Sequence, residues 1–257
     1  MEGKGTQKIE SGFAARNILT AEMTGSLPSP VQNWLKAIGA VGHEKIDSVK
    51  LKQSGMMKLK PEQKTWTASE AEQISFTDPP AFHWSVKMKM RKGLTVTGKD
   101  SFQEGKADMR IKLAGILPIS RSDDNEKTNE SALQRYLMEL AWYPSAALSL
   151  FISWQEVDAY SATATMNYGV LTGSATYFFD EHYELLKVEA WRYKESGEDA
   201  RPLLCTGSIN EHKQVDGLKV PVDMEISWEL AEGTFTWYKF QAHDFQFNSV
   251  TDLPKNR

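Results

Sequence analysis

One cysteine, Cys205, occurs in the 257 residues of this chain. A lone cysteine forms no intramolecular disulfide and offers none of the Cys/His spacing of a zinc site, so it reads as a small apolar strand residue. No uninterrupted apolar run approaches the roughly 20 residues that span a bilayer. The opening segment, MEGKGTQKIESGFAARN, lacks the apolar core and small-residue cleavage pattern of a secretory signal. The expectation is a soluble chain as it stands, cytoplasmic, or membrane-associated if an N-terminal anchor has been removed. Positive charge is not in excess: 30 Lys and Arg against 34 Asp and Glu give a formal net charge of -4. That excludes the broad polycationic footprint behind nucleic-acid binding, so no nucleic-acid partner is expected.

Motifs that announce the major enzyme classes are also missing. There is no G-x-S-x-G elbow, P-loop, G-x-G-x-x-G or C-x-x-C. The five histidines, His43, His83, His182, His212 and His243, show no H-x-x-x-H, H-E-x-x-H or metal-triad spacing. No catalytic residue, metal ligand or cofactor is assigned. Asn129-Glu130-Ser131 matches a glycosylation acceptor, a three-residue pattern that often arises by chance.

What the chain has is aromatic and apolar side chains at a two-residue period. Eight Trp, 11 Phe and 8 Tyr in a 40% hydrophobic composition are ample for a packed interior. In FHWSVKMKM, residues 82–90, Phe82, Trp84, Val86, Met88 and Met90 face one way and His83, Ser85, Lys87 and Lys89 the other, with Arg91 following. This is the pattern of a half-buried antiparallel strand. The alternation also runs over 49–60, where Val49, Leu51, Met57 and Leu59 oppose Lys50, Lys52, Lys58 and Lys60. It continues in 94–102 and 106–113, with Glu104-Gly105 as their hairpin turn. It returns in 159–167, 171–179, 185–194, 203–211, 219–228 and 234–247, separated by turns such as VDG and AEG.

Two helices interrupt this pattern. In SPVQNWLKAIGAVG, Ser29 can cap, Pro30 suits the first helical position, and Val31, Trp34, Leu35 and Ile38 share a face, with Gly39 or Gly42 ending the helix. The second is expected over 129–143, where Leu133, Leu137 and Leu140 or Ala141 form an apolar stripe and Pro144 stops the run. Residues 13–23 are helix-compatible and weakly amphipathic. In DPPAFHW the prolines at 79 and 80 should form a rigid extended lead-in to the strand that follows. The reading is mainly antiparallel β (α+β): a meander of about ten strands, with an N-terminal helical or flexible segment 1–26, one domain 27–250 and a tail 251–257.

The segments LPSPVQNWLKAIGAVG, DPPAFHW, KADMRIKLAGILPIS, RYLMELAWYPSAAL and DGLKVPVDMEISWEL together resemble a bacterial family catalogued only as a domain of unknown function. The resemblance covers about residues 27–247, and no activity comes with it. Members often carry membrane-spanning segments before this domain. A curved meander packed on helices is also similar to the half-barrels of lipoprotein carriers. That likeness implies a strongly curved sheet with helices on its concave side. The family more often has Glu-Arg where this chain has Trp191-Arg192, so Trp191 enters no site.

Arg135 and Glu139 lie one helical turn apart and can pair, with Trp142 on the same side and Tyr143 at the helix end. The favoured reading is a partly buried ion pair that anchors the helix. A second is a polar anchor, together with Arg192, at the end of an apolar pocket lined by Trp142, Tyr143, Trp84, Met88 and Trp228. A third uses Glu139 as the general acid or base of a hydrolase or isomerase. The functional expectation is a non-enzymatic binding or carrier domain for an apolar, lipid-like molecule. The alternatives are that enzyme, or a structural or protein-interaction domain of a membrane-associated assembly. Lys50, Lys52, Lys58, Lys60, Lys87, Lys89 and Arg91 share polar strand faces. Such a face could dock on anionic lipid, although a solvated face that discourages aggregation is favoured.

Overall fold

Glu104 and Gly105 both take positive φ, 54° and 77°, the left-handed pair that suits a two-residue hairpin between antiparallel strands. Turns of this size recur between strands in a computed structural model that describes residues 17–90, 93–113, 117–123 and 125–253. The first group of strands is β1 (Ser48–Met57), β2 (Thr67–Thr77), β3 (Pro80–Lys89), β4 (Thr95–Gln103), β5 (Lys106–Leu113) and β6 (Leu117–Asp123). The second is β7 (Ile152–Asp158), β8 (Ser161–Tyr168), β9 (Leu171–Phe179), β10 (Leu185–Tyr193), β11 (Pro202–Val215), β12 (Leu218–Leu230) and β13 (Gly233–Phe247). All lie in one sheet, ordered β6-β5-β4-β3-β2-β1-β13-β12-β11-β10-β9-β8-β7. Each half is a local meander, and β1 pairs antiparallel with β13 at the middle.

The sheet is strongly curved. Phe102 on β4 and Tyr168 on β8 are nine strand steps apart, about 43 Å in a flat sheet at ~4.8 Å per strand, yet their ring centroids are 6.3 Å apart. The two arms therefore face each other, and helix α2 (Glu126–Met138) lies between them, touching β3, β4 and β5 on one arm and β8, β9 and β10 on the other. The helix is buried on nearly every side, with Leu133, Tyr136 and Leu137 fully enclosed. Gly173 on β9 permits this approach: a Cβ there would sit 2.7 Å from Gln134 Cγ and 2.8 Å from Leu133 Cδ2. Polar ties also fix α2 to β10, where Gln134 Nε2 donates to Trp191 O and Ser131 Oγ to Tyr193 O, each at 2.8 Å.

Helix α1 (Ser29–Ala37) buries Val31, Trp34 and Leu35 as its spacing predicts, and Trp34 stacks on Phe179 of β9 at 5.9 Å. The expected helix over 129–143 starts earlier and stops at Met138. Glu139 leaves helical geometry at φ -101°, ψ 3°, and the chain tightens into 3-10 turns Leu140–Trp142 and Pro144–Leu148, as helix ends often do. Tyr143, which precedes Pro144, is forced out of the α region to φ -142°, ψ 64°. Of the helix-compatible stretch 13–23, residues 13–16 lie outside the described residues. The rest contains a bridge between Ile18 and Glu44 and one 3-10 turn, Glu22–Thr24, instead of an α-helix.

Among the described residues there are thirteen strands, against an expected ten or so. The DPP sequence leads into β3 as expected, but it is also a hairpin connection, since Thr77 pairs with Pro80 and β2 precedes it. Strand β2 hides from hydropathy because its inward positions are Ser69, Ala71, Gln73, Ser75 and Thr77, all buried. Among the described residues no helix is long and apolar enough to cross a membrane.

Candidate functional site

Arg135 occupies the last turn of α2 and points at β2, β3 and β4. Its Nη1 donates to Asp100 Oδ2 at 2.7 Å, its Nε to Glu139 Oε1 at 2.9 Å and its Nη2 to Gln73 Oε1 at 3.2 Å. Gln73 Nε2 closes the ring by donating to Glu139 Oε2 at 2.6 Å and to Ser75 Oγ at 3.1 Å. The guanidinium also lies over the rings of Phe82 and Trp84, 4.7 and 5.2 Å from their centroids. Burial alone would lower its pKa, but Glu139 and Asp100 outweigh that and hold Arg135 above the ordinary guanidinium range. The spacing of Arg135 and Glu139 in sequence gave half of this network. Asp100 and Gln73, from β4 and β2, complete it.

Beside the network is a cavity of about 230 Å³. Its wall is largely apolar, with Trp84 and Met88 from β3, Met138 from α2, Ile226 and Trp228 from β12 and Phe240 from β13. The volume exceeds the ~150 Å³ that suffices for benzene in an engineered apolar cavity. Two tryptophan N–H groups near it are satisfied by the protein: Trp84 Nε1 donates to Gln53 Oε1 at 2.9 Å, and Trp142 Nε1 to Pro221 O at 3.0 Å. Tyr238 OH donates to the same Gln53 oxygen at 3.0 Å, and burial raises its pKa well above the usual phenol range.

Arg135, Glu139, Trp142, Arg192, Trp84, Met88 and Trp228 all line this cavity. Tyr143 does not: it is fully enclosed, its ring meets that of Tyr136 at a tilt with centroids 5.2 Å apart, and its OH donates to Tyr136 O at 2.8 Å. Its place between α2 and the sheet makes it a core residue, because the 3-10 turn rotates it away from the cavity. Arg192 stands apart from the Arg135 network. Its Nε donates to Ser131 O at 3.1 Å, its Nη1 approaches Cys205 Sγ at 3.7 Å and Met138 Sδ at 3.9 Å, and its guanidinium lies 5.7 Å from the Trp228 ring. Burial pushes the Cys205 thiol pKa up, with Arg192 acting against it.

The lysine rows do face outward, but the surface they share carries both signs. Lys50 pairs with Glu72 at 2.5 Å and Lys52 with Asp244 at 2.9 Å, while Glu70 on β2 stands opposite Lys87 on β3. Lys58 lies over Trp66 at 4.8 Å. Arg91 is outside the described residues. Among the described residues no cluster of three His, Cys, Asp or Glu side chains suits a metal ion. Asn129 of the glycosylation pattern is buried, with its Oδ1 accepting from Ala107 N at 2.8 Å.

Sheet, helix and cavity together define a half-barrel whose concave side is partly filled by its own helix and partly left open as an apolar chamber. The chain belongs to the family of unknown function DUF6920, whose sequence model matches residues 25–247. No curated protein matches it. Among solved structures it is similar to the crystal structure of a LolA superfamily protein from Nitrosomonas europaea, with a TM-score of 0.45 and 11% identity over 87% of this chain and 94% of that one.

Proposed function

We propose that this chain is a non-enzymatic binding or carrier domain that takes an apolar, lipid-like molecule into the cavity between α2 and the curved sheet. The observation that carries this reading is the chamber itself, an apolar space of about 230 Å³ beside a continuous core of buried residues. A well-packed interior leaves few voids larger than a water molecule, and large side chains that stop short of filling a space favour an apolar guest. The Arg135 network supports a wall rather than a reaction. Each Glu139 oxygen accepts from a protein donor, Arg135 at Oε1 and Gln73 at Oε2, which ties the carboxylate into the link between α2 and the sheet. This favours binding over the hydrolase or isomerase reading.

The test is native mass spectrometry with solvent extraction of the purified protein, alongside titration with the neutral fluorophore N-phenyl-1-naphthylamine. One saturable site, displaced by a medium-chain alcohol, is the expected result. Protein that carries no extractable guest and binds neither molecule would overturn the reading.

A further inference from the structure

We infer that the guest is an anionic amphiphile, an apolar chain ending in a carboxylate or phosphate, and that Arg192 receives its headgroup. This rests on the binding reading above and adds the chemistry of the ligand. The two arginines on the cavity wall differ in one respect. Arg135 is saturated by Asp100, Glu139 and Gln73. Arg192 is half-buried and lines the same cavity, yet among the described residues no carboxylate lies within ion-pair distance of it and its Nη2 has no hydrogen-bond partner. Its other contacts are one carbonyl and two sulfur atoms, which are weak acceptors.

Partly exposed at the cavity and without a counter-charge, the guanidinium presents a planar fork that matches the two oxygens of a carboxylate or phosphate. The Trp228 ring beneath it and the carbonyl of Ser131 fix its orientation. The wall as a whole agrees: it carries four cations, Lys99, Arg135, Arg192 and Lys194, and two carboxylates, Asp100 and Glu139. That surplus of two positive charges belongs to a chain whose net charge is -4. Lys99 and Lys194 are exposed, so an entering anion meets them before Arg192. Lys194 also lies 3.7 Å from Glu195, a pair exposed enough to be readily exchanged.

Binding of decanoate, decyl phosphate and decanol to the full chain, measured by displacement of N-phenyl-1-naphthylamine at pH 8, separates headgroup from tail. We expect at least one of the two anions to bind roughly 10- to 100-fold more tightly than decanol, the increment of a hydrogen bond to a charged group. Comparing them shows which headgroup the fork prefers. Arg192→Gln should cut the anion-over-decanol ratio, both measured on that variant, to about a tenth or less of its original value, and Arg192→Lys should restore part of it. Equal affinity for all three would overturn the headgroup inference and leave the apolar pocket standing. A preference that survives Arg192→Gln would overturn the role of Arg192. Failure of all three to bind would overturn both.

Discussion

Replacing Arg135 with methionine removes the one cation that two inward carboxylates share. Side-chain exposure is 16% for Arg135, 10% for Asp100 and 14% for Glu139, too little for solvent to screen the loss. Breaking a buried pair by removing one partner costs about 3–5 kcal/mol, because the opposing charge is left uncompensated. At about 2–4 °C per kcal/mol for a chain of this size, the melting temperature of Arg135→Met should fall by roughly 6–20 °C. The triple variant Arg135→Met, Asp100→Asn, Glu139→Gln removes all three charges, with the two carboxylates replaced by amides of the same shape. It should come back to within about 2 kcal/mol of the original protein, since neutral replacement of a buried ionic group is often nearly free. Urea denaturation followed by circular dichroism and tryptophan fluorescence measures both. If the single variant lies within about 1 kcal/mol of the parent, or the triple is no more stable than the single, the network does not hold α2 to the sheet.

Filling the cavity should separate binding from stability. Gly207 lines it, and a Cβ there meets Ile226 Cδ1 at an ordinary 3.5 Å, so Gly207→Val should cut N-phenyl-1-naphthylamine affinity more than tenfold at a cost of under ~1.5 kcal/mol, read by titration and urea melts. Gly173→Ala should behave oppositely, because its Cβ drives into Leu133 and Gln134. Denaturation should show a loss of about 1–3 kcal/mol from overpacking. Burial raises Tyr136, Tyr143, Tyr177 and Tyr238 above the usual phenol pKa of about 10. These groups stay protonated in the folded state while the unfolded chain ionises. Their contribution is therefore fully present below about pH 10 and is lost as pH rises beyond it, by up to ~1.4 kcal/mol per pH unit per tyrosine. Tyr136→Phe should flatten that alkaline slope in pH-dependent denaturation, and an unchanged slope would contradict the assignment.

Parity carried most of the strands into view. Val49 and Leu51, or Phe82, Trp84 and Val86, alternate cleanly because one face of their strands meets the core and the other meets water. The same parity would have found one residue of the Arg135 network and one polar residue of the cavity wall: Asp100 falls in step with Val96 and Phe102, and Gln53 with Leu51. A charged or amide residue on the apolar parity of a strand was the available signal. Gln73 had no such signal, since its neighbours on the inward side of β2 are Ser, Ala, Ser and Thr, while the most apolar residues of the strand, Ile74 and Phe76, have the opposite parity. Nor does any local pattern reveal that β13 pairs with β1, nearly the whole chain away. The reversal of Tyr143 was hidden for a different reason. A proline marks where a helix must already have ended, and it does not say how many residues earlier the 3-10 turns begin.

The seam between the first strand and the last has a kinetic consequence. Every other neighbouring pair in the sheet is separated by a short stretch of backbone, so each arm can assemble from partners that find one another quickly, whereas the seam must bring together segments some two hundred residues apart. Closing that joint turns two ribbons into a single trough, and loop-closure entropy predicts that the arms form first and the join last.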